Sequence, residues 1–509
     1  MDYACSPKFI NKVVQGVALI EHLLNIDKEL PVSAYLQVAN GIIAYIRQGT
    51  LKPGAALPAS RVLAKTLNVH RKTIVAAYDE LYAQSWVEVY PRKGIFVANN
   101  LPGVAPRPIL KIRQGTGLAT QTFFDVNNQI DIAYPFVKGV EGNLVINSGF
   151  PDVRIAPVEL MVREYRRFAA YKFTPKYLMY GPEQGSENLR NEMARFLSET
   201  RGLQVGHEDI LITKGVQMAL YLTAQVLLNK NDVVIVGDPG FSGANDVFEQ
   251  AGAQLELVPV DDCGMNMDAV EAICQKKKVR LLYVIPHHHT PTTTTLSSQR
   301  RMRLLELAMK YKFAIIEDDY DFDFQYTCSP ILPLASADYY GSVIYVGSFC
   351  KVIAPGIRIG FMVAPKNFLH EATMLRRLID RQGEHLLEEA MANLLKNGDI
   401  SRHLKKANKL YHERRDMLCH LMQEELGEYI SFRVPDGGFA VWITYRDGID
   451  AIKVSQIASE MGLTISSGTD YYYDRNFRNP SIRVGFASLN QAEMIEAVSL
   501  WKKAIEKVL

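Results

Sequence analysis

A chain of 509 residues exceeds what one hydrophobic core usually supports and implies two to four domains. Hydrophobic residues make up 48% and charged residues 22%, an ordinary balance for a soluble globular chain, and no stretch reaches the roughly 20 apolar residues of a membrane helix. Six scattered cysteines without a C-x-x-C pair speak against a disulfide framework or a zinc site and fit reduced thiols in a cytoplasm. The net charge is only +2, yet residues 31–100 alone carry +5, and a small basic module on a weakly acidic body points toward DNA.

In chain order, residues 1–30 are expected to form an N-terminal helical extension. Val13–Ile20 is apolar but interrupted by Gln15 and Gly16 and lacks a small-residue cleavage site, so it reads as an amphipathic helix and not a signal peptide. Residues 31–100 show short helices and then two short strands. Ser60–Leu67 reads as a helix closed at Asn68. A second helix from His70 places Ile74, Ala77, Tyr78 and Leu81 three and four positions apart, on one buried face. Its first turn presents Arg71, Lys72 and Thr73, residues suited to base edges and phosphates of double-stranded DNA. His70 stands where a cap is expected; histidine caps poorly and could instead face a phosphate. Arg92-Lys93-Gly94 lies between strand-like Trp86–Tyr90 and Ile95–Val97, as a wing tip would. The competing reading of this segment is a helical domain with a solvated basic face.

Residues 101–145 read as a linker, with three prolines in 101–108 ruling out regular helix; within it Ile130–Val137 is apolar enough to dock. A large domain is expected over 146–400 and a smaller mixed subdomain over 401–509. Strand candidates are Ile210–Thr213, Val233–Val236, Leu281–Ile285, Phe313–Ile316, Val343–Val346 and Gly360–Val363. Between them lie helical patterns such as Ser298–Lys312, with Met302, Leu305 and Met309 spaced for a buried face. Apolar strands separated by helices predict an α/β fold: a mostly parallel sheet covered on both sides. A long amphipathic helix, about Ser401–Leu426, leads into the subdomain.

The strongest chemical signal is Gly347-Ser-Phe-Cys-Lys351-Val-Ile-Ala-Pro-Gly-Ile-Arg358-Ile-Gly360, directly after an apolar strand. A lysine on a turn bounded by Gly and Pro, with Ser348 before it and Arg358 after it, suits a Schiff base to a phosphate-bearing aldehyde. Upstream, Glu317-Asp318-Asp319-Tyr320-Asp321 follows another apolar strand, where a buried carboxylate can keep a pyridine nitrogen protonated. A metal or a solvated acidic cluster is the alternative for these acids. Lys214-Gly215-Val216-Gln217 opens a helix, whose free N–H groups favour phosphate. Phe241, at a strand end, is suited to stacking on a ring. His287-His288-His289 tempts a metal reading, but adjacent residues at a strand end point alternately, so only two could share a side and no metal is expected.

The N-terminal pattern, Leu57-Pro-Ala-Ser-Arg61 followed by the two helices and the glycine-tipped wing, resembles the GntR-type winged helix. The remainder resembles fold-type-I aminotransferases, and the pairing resembles the MocR/GabR-type regulators. That resemblance puts Arg61, Arg71, Thr73 and Gly94 on DNA-contact positions. It implies pyridoxal 5'-phosphate bound to Lys351, with Asp318 on the pyridine nitrogen, Tyr320 on the ring hydroxyl and Phe241 over the ring. Ser348, Arg358 and the Gly215, Val216 and Gln217 backbone would hold the phosphate. Tyr180, in Tyr-Gly-Pro-Glu-Gln-Gly, would reach the phosphate of the other subunit of a homodimer. Arg483, in Ile-Arg-Val-Gly-Phe-Ala, matches the arginine that clamps a substrate carboxylate, and Gly437-Gly438-Phe439 a turn of the small subdomain. One departure is notable: the Asn and Gly of the enzymes' Asn-Pro-Thr-Gly are Thr290 and Thr293 here. The implied function is a cytoplasmic, ligand-responsive DNA-binding regulator, with an amino compound or the cofactor itself as effector. The alternative is a working amino acid:keto acid aminotransferase with an accessory DNA-binding domain.

Overall fold

The computed structural model describes residues 24, 26–27, 30–101, 121–122, 124–126, 142–170, 174–327, 331–474, 477 and 481–509. The helix expected over 13–20, nearly all of the 101–145 linker and the apolar stretch 130–137 lie outside these residues. The chain divides into two compact units, 1–127 and 128–509.

The first unit is built from α1 (Ala34–Arg47), α2 (Ser60–Thr66), α3 (Arg71–Ala83), β1 (Val87–Tyr90) and β2 (Gly94–Val97). Helices α1 and α3 bury Val38, Ile42, Ile46, Ile74, Ala77, Tyr78 and Leu81 in one core, closed by Trp86 and Val97. The face expected on α3 is thus the one it buries. Asn68, at φ 49°, turns the chain between α2 and α3. Strands β1 and β2 pair antiparallel from Val87↔Val97 to Tyr90↔Gly94, a two-stranded wing.

The second unit opens with β3 (Leu144–Val145), α4 (Val158–Ala169), α5 (Thr174–Leu178) and α6 (Glu187–Arg201). There follow β4 (Ile210–Thr213), α7 (Val216–Leu227), β5 (Val233–Asp238), α8 (Ser242–Gln250), β6 (Gln254–Asp261), β7 (Gly264–Met265), α9 (Met267–Lys276) and β8 (Val279–Val284). Next come α10 (Ser298–Tyr311), β9 (Ala314–Asp318), β10 (Val343–Ser348), β11 (Gly360–Val363), α11 (Lys366–Ile379), α12 (His385–Lys396) and α13 (Asp399–Leu426). The chain ends with β12 (Ile430–Phe432), β13 (Ala440–Tyr445), α14 (Ala451–Glu460), β14 (Leu463–Thr464), β15 (Ser481–Gly485) and α15 (Gln491–Val508).

Eight strands form one sheet in the order β4-β11-β10-β9-β8-β5-β6-β7. Its strands are parallel except β11, which runs against both β10 and β4, and β7, which runs against β6. The central strands and the edge strand β4 are buried along nearly their whole length, which is why they read as continuous apolar runs. Separate core clusters fill the two faces of the sheet. Strands β12, β13 and β15 make a smaller antiparallel sheet. Leu144 and Val145, at the end of the expected linker, pair with Leu463 and Thr464 of β14.

Two readings change. Strand β6 was not expected: its mixed residues are half exposed and include Pro259, so it carries no apolar run. In α10 the buried face is Arg301, Leu304, Leu307 and Ala308, while Met302 and Met309 are 53% and 46% exposed. The core beneath the helix takes that face through Leu304, Leu307 and Ala308. Arg301 can join it because its guanidinium donates to the carbonyls of Leu296, Leu332 and Pro286.

Ile74 has no exposed surface, and Ile74→Ala should destabilise the first unit by about 2–5 kcal/mol. Calorimetry should show the loss in the transition of the 1–127 unit, with the transition of 128–509 unchanged.

Candidate cofactor site and nucleic-acid interface

The site residues converge at the carboxyl ends of the parallel strands, where open α/β sheets leave a crevice. Lys351 follows β10. Its Nζ donates to the Gly149 carbonyl at 2.7 Å and lies 3.9 Å from the Phe150 ring centre, with Tyr320 and Phe439 each at 6.0 Å. Burial pushes this amine down to about 8, and the Arg483 charge adds to the effect against the opposing pull of Asp321 and Asp318. Gly149 adopts φ +102°, and a Cβ there would lie 3.3 Å from Phe439 and 3.5 Å from Arg483, so only glycine lets the backbone carbonyl approach Lys351 freely.

Asp318 ends β9. Its Oδ2 accepts from the Tyr283 hydroxyl at 2.7 Å, while Oδ1 is buried without a partner. Burial pushes this carboxyl up to about 7, opposed by the Tyr283 hydrogen bond and reinforced by Asp319 and Asp321. The neighbouring acids all have partners, although Asp321 keeps Oδ2 buried without one. Asp319 meets His287 Nδ1 at 3.1 Å and accepts from the Tyr345 hydroxyl at 2.7 Å. Asp321 meets His288 Nδ1 at 3.0 Å. The Glu317 carboxylate accepts from the N–H groups of Leu334 and Ala335. Two of the three histidines therefore serve the acidic run across adjacent strand ends.

The Tyr320 hydroxyl donates to the His288 carbonyl at 2.9 Å and accepts from Thr290 Oγ1 at 2.9 Å and Arg483 Nη2 at 3.1 Å. Thr290, standing where the enzymes carry asparagine, thus holds the tyrosine. Arg483, on β15, is 2% exposed. It donates to the carbonyls of Ser148, His289 and Pro291 at 2.8, 3.2 and 3.0 Å. No carboxylate among the described residues forms an ion pair with it.

A second cluster lies beside Lys351. Gly215, at φ +87°, precedes α7, and a Cβ on it would lie 3.1 Å from Arg358 Nη2; Gly360 packs directly on Gly215. Arg358 donates to the Lys214 carbonyl at 2.5 Å and approaches Cys350 Sγ at 3.6 Å. Ser348 Oγ accepts from Cys350 N at 3.1 Å and donates to the Ile359 carbonyl at 3.3 Å. Val216 and Gln217 form the first turn of α7, and Gln217 donates to the Gly243 carbonyl at 3.0 Å. Phe241 covers Gly243 at the start of α8. Tyr180 stands apart: it is 73% exposed, beneath the Arg381 guanidinium at 4.1 Å. Sequence reasoning missed Gly149, Phe150 and Tyr283. Gly149-Phe-Pro was a visible turn signal, but it fell just past the linker; Tyr283 sits inside an apolar strand and looked like core.

In the first unit, Arg61, Arg71, Lys72, Lys93 and Gly94 are exposed, and Thr73 is partly covered. Arg71 heads α3 and its Nε reaches Ser60 Oγ at 3.4 Å. His70 corrects the expectation of a poor cap: its Nδ1 accepts from Lys72 N at 3.1 Å and caps the helix.

Comparison with known proteins agrees with this geometry. Residues 34–97 match the bacterial regulatory proteins of the gntR family, and residues 158–500 match aminotransferase class I and II. The two units are thus a GntR-type winged helix and an aminotransferase fold. The chain is 25% identical to a probable rhizopine catabolism regulatory protein, MocR, of Rhizobium meliloti, over 95% of this chain and 96% of that one. It is 30% identical to the uncharacterized HTH-type transcriptional regulator YisV of Bacillus subtilis, over 88% of this chain and 91% of that one. A kynurenine aminotransferase structure from Pyrococcus horikoshii superposes on 73% of this chain and 92% of its own length, with a TM-score of 0.68 and 29% identity. The chain belongs to the MocR/GabR-type transcription regulators, which join a DNA-binding winged helix to an aminotransferase-like pyridoxal phosphate domain.

The residues present fit that cofactor. A buried, unpartnered carboxylate oxygen on Asp318 suits a protonated ring nitrogen, and a glycine held open against Arg358 at a helix start suits a phosphate. A lowered amine on Lys351 suits attack on an aldehyde. Because its neutral form is the nucleophile, the rate of covalent cofactor attachment to Lys351 should rise about tenfold per pH unit and level off above about 8. Stopped-flow absorbance with cofactor-free protein checks this; a rise continuing to pH 10 would mean that the amine is not lowered.

Proposed function

We propose that this chain is a cytoplasmic, homodimeric regulator whose pyridoxal phosphate domain senses a small primary amine bearing a carboxylate or similar anion. The winged helix spans 31–100 in this reading, followed by a linker, a large domain over 146–400 and a small subdomain over 401–509. The observation that carries it is Arg483: a buried guanidinium beside Lys351 and Tyr320 that has carbonyl and hydroxyl acceptors but no carboxylate. A planar fork so placed favours an incoming anion over any neutral group.

The cofactor, when bound, supplies an aldehyde that an amine can capture. Lys351 holds it covalently and Asp318 keeps a proton on its ring nitrogen. Tyr320 orients its hydroxyl, and Phe241 covers its ring. Ser348, Arg358 and the N–H groups of Gly215, Val216 and Gln217 take the phosphate, with Tyr180 reaching the partner's phosphate from its exposed position. A ligand amine competes with Lys351 while its anion engages Arg483. A ligand that contacts one conformation better than another shifts the population that binds DNA. There, Arg71 and Thr73 read bases, while Arg61, Lys72, Lys93 and the Gly94 wing tip meet the backbone.

Titrating wild type and Arg483→Lys with amino acids and with uncharged amines, followed by the visible spectrum of the bound cofactor, tests the ligand class. Lysine keeps the charge but loses the fork, so responses to carboxylated ligands should weaken at least tenfold while simple amines change little. Equal responses of both ligand classes in both proteins would refute this assignment.

On the DNA side, Arg71→Ala should lose about 1–3 kcal/mol of discrimination at one base position. Lys93→Ala should weaken all sequences alike and reduce the salt slope by about one. Binding measured on specific and random duplexes across salt concentrations separates the two effects.

A further inference from the structure

Asp318 and Asp321 each keep one buried carboxylate oxygen without a partner; the other oxygen of Asp321 meets a histidine ring, whereas that of Asp318 is held by a tyrosine hydroxyl. Tyr283 and Asp318 lie near the ends of the adjacent parallel strands β8 and β9, where Tyr283 registers with Ile316. Two residues on, Asp318 comes within reach, and the Tyr283 hydroxyl donates to Oδ2 at 2.7 Å. Both side chains are buried, Tyr283 at 4% and Asp318 at 3% exposure. The tyrosine ring is itself fixed edge-on by Phe248, with centroids 5.9 Å apart at 62°. A donor locked on Oδ2 fixes the carboxylate torsion, and Oδ1 is left as the buried oxygen without a partner.

We propose that Tyr283 is a positioning residue for the cofactor: its hydroxyl holds Asp318 ionised and turned so that Oδ1 meets the ring nitrogen. This rests on the reading of Asp318 given above and adds a residue to it.

The electrostatics explain why such a donor is needed. Asp318 is buried and lies beside Asp319 and Asp321, which together drive its carboxyl toward the neutral form; a neutral acid would release the ring proton. The Tyr283 hydrogen bond is the largest of the effects that favour the charged form. Tyr283 cannot take the charge itself, because burial first and the Asp318 charge next hold its phenol well above its ordinary value. The alternative is that Tyr283 only fills space against Phe248.

The test uses full-length protein loaded with cofactor. Borohydride should first fix label on Lys351 of the wild type; a colourless or unlabelled wild type would overturn the site reading and this inference with it. Tyr283→Phe keeps the ring and removes only the hydroxyl. A less firmly protonated ring nitrogen withdraws less charge, so the pH midpoint of the bound cofactor's visible band should move up by roughly one unit. Cofactor affinity should fall about tenfold. Phe248→Leu, which loosens the packing but keeps the hydroxyl, should leave the midpoint in place. Reconstitution with a cofactor analogue carrying carbon in place of the ring nitrogen should abolish the difference between wild type and Tyr283→Phe. A labelled wild type with an unmoved midpoint in Tyr283→Phe, an equal shift in Phe248→Leu, or a difference that persists with the analogue would each reduce Tyr283 to packing while leaving the assignment of Lys351 intact. Should Tyr283→Phe fail to fold, the analogue comparison is made on Tyr283→Leu, which also lacks a donor and must then show the same midpoint shift with the natural cofactor and none with the analogue.

Discussion

Glu317, Asp318, Asp319 and Asp321 are all buried at the end of one strand, and the site is organised around that concentration of negative charge. Burying an ionised carboxylate is unfavourable by several kcal/mol, roughly, unless a partner replaces the water it loses. The structure gives each a different partner. Glu317 takes two backbone N–H groups and remains pushed up to about 8, chiefly by burial and then by Asp319. For Asp319, burial is outweighed by His287, Arg201 and Tyr345, which hold it below the usual carboxylate range. His288 is raised because Asp321 and Gln325 outweigh the burial that would lower it. Asp318 Oδ1 and Asp321 Oδ2 are the two oxygens of the run left buried without a partner, and of the two acids only Asp318 belongs to the strand itself, at the end of β9.

The same constraint accounts for the histidine run. Two of its rings supply counter-charge or hydrogen bonds to the acids on the neighbouring strand, while burial and the nearby Arg483 charge push His289 down to about 3 and keep it neutral against Thr292. In the sequence, three histidines and four acids in apolar surroundings tempt a metal reading. The pairing across strands of His287 with Asp319 and His288 with Asp321 is invisible without the sheet order.

Much of the fold was legible because the physics is local. The α3 face through Ile74, Ala77, Tyr78 and Leu81 follows from helical spacing, and the central strands follow from unbroken apolar runs. Lys351 and Asp318 stood out in strand-end motifs and Arg483 only through the family resemblance, and the structure brings the three close together. What escaped depends on long-range packing. Met302 and Met309 are as apolar as Leu304, and only the sheet beneath α10 decides which side is inward. Gly149 belongs to the site because its carbonyl meets Lys351 across 202 positions of sequence, a relation no local pattern carries. His70 was misjudged because propensity ranks residue types, whereas capping needs only one acceptor atom in the right place.

Arg483 grips the Ser148 carbonyl across 335 positions of sequence, so the site closes only when both ends of the 128–509 unit are in place. Occupancy of such a site is thermodynamically linked to the folding of the unit, because a ligand that needs both ends binds the native state alone. At a free cofactor concentration of a hundred times Kd, that linkage contributes about 2.7 kcal/mol to the native state. Loading with cofactor should then protect the 128–509 unit against unfolding and proteolysis, in proportion to occupancy.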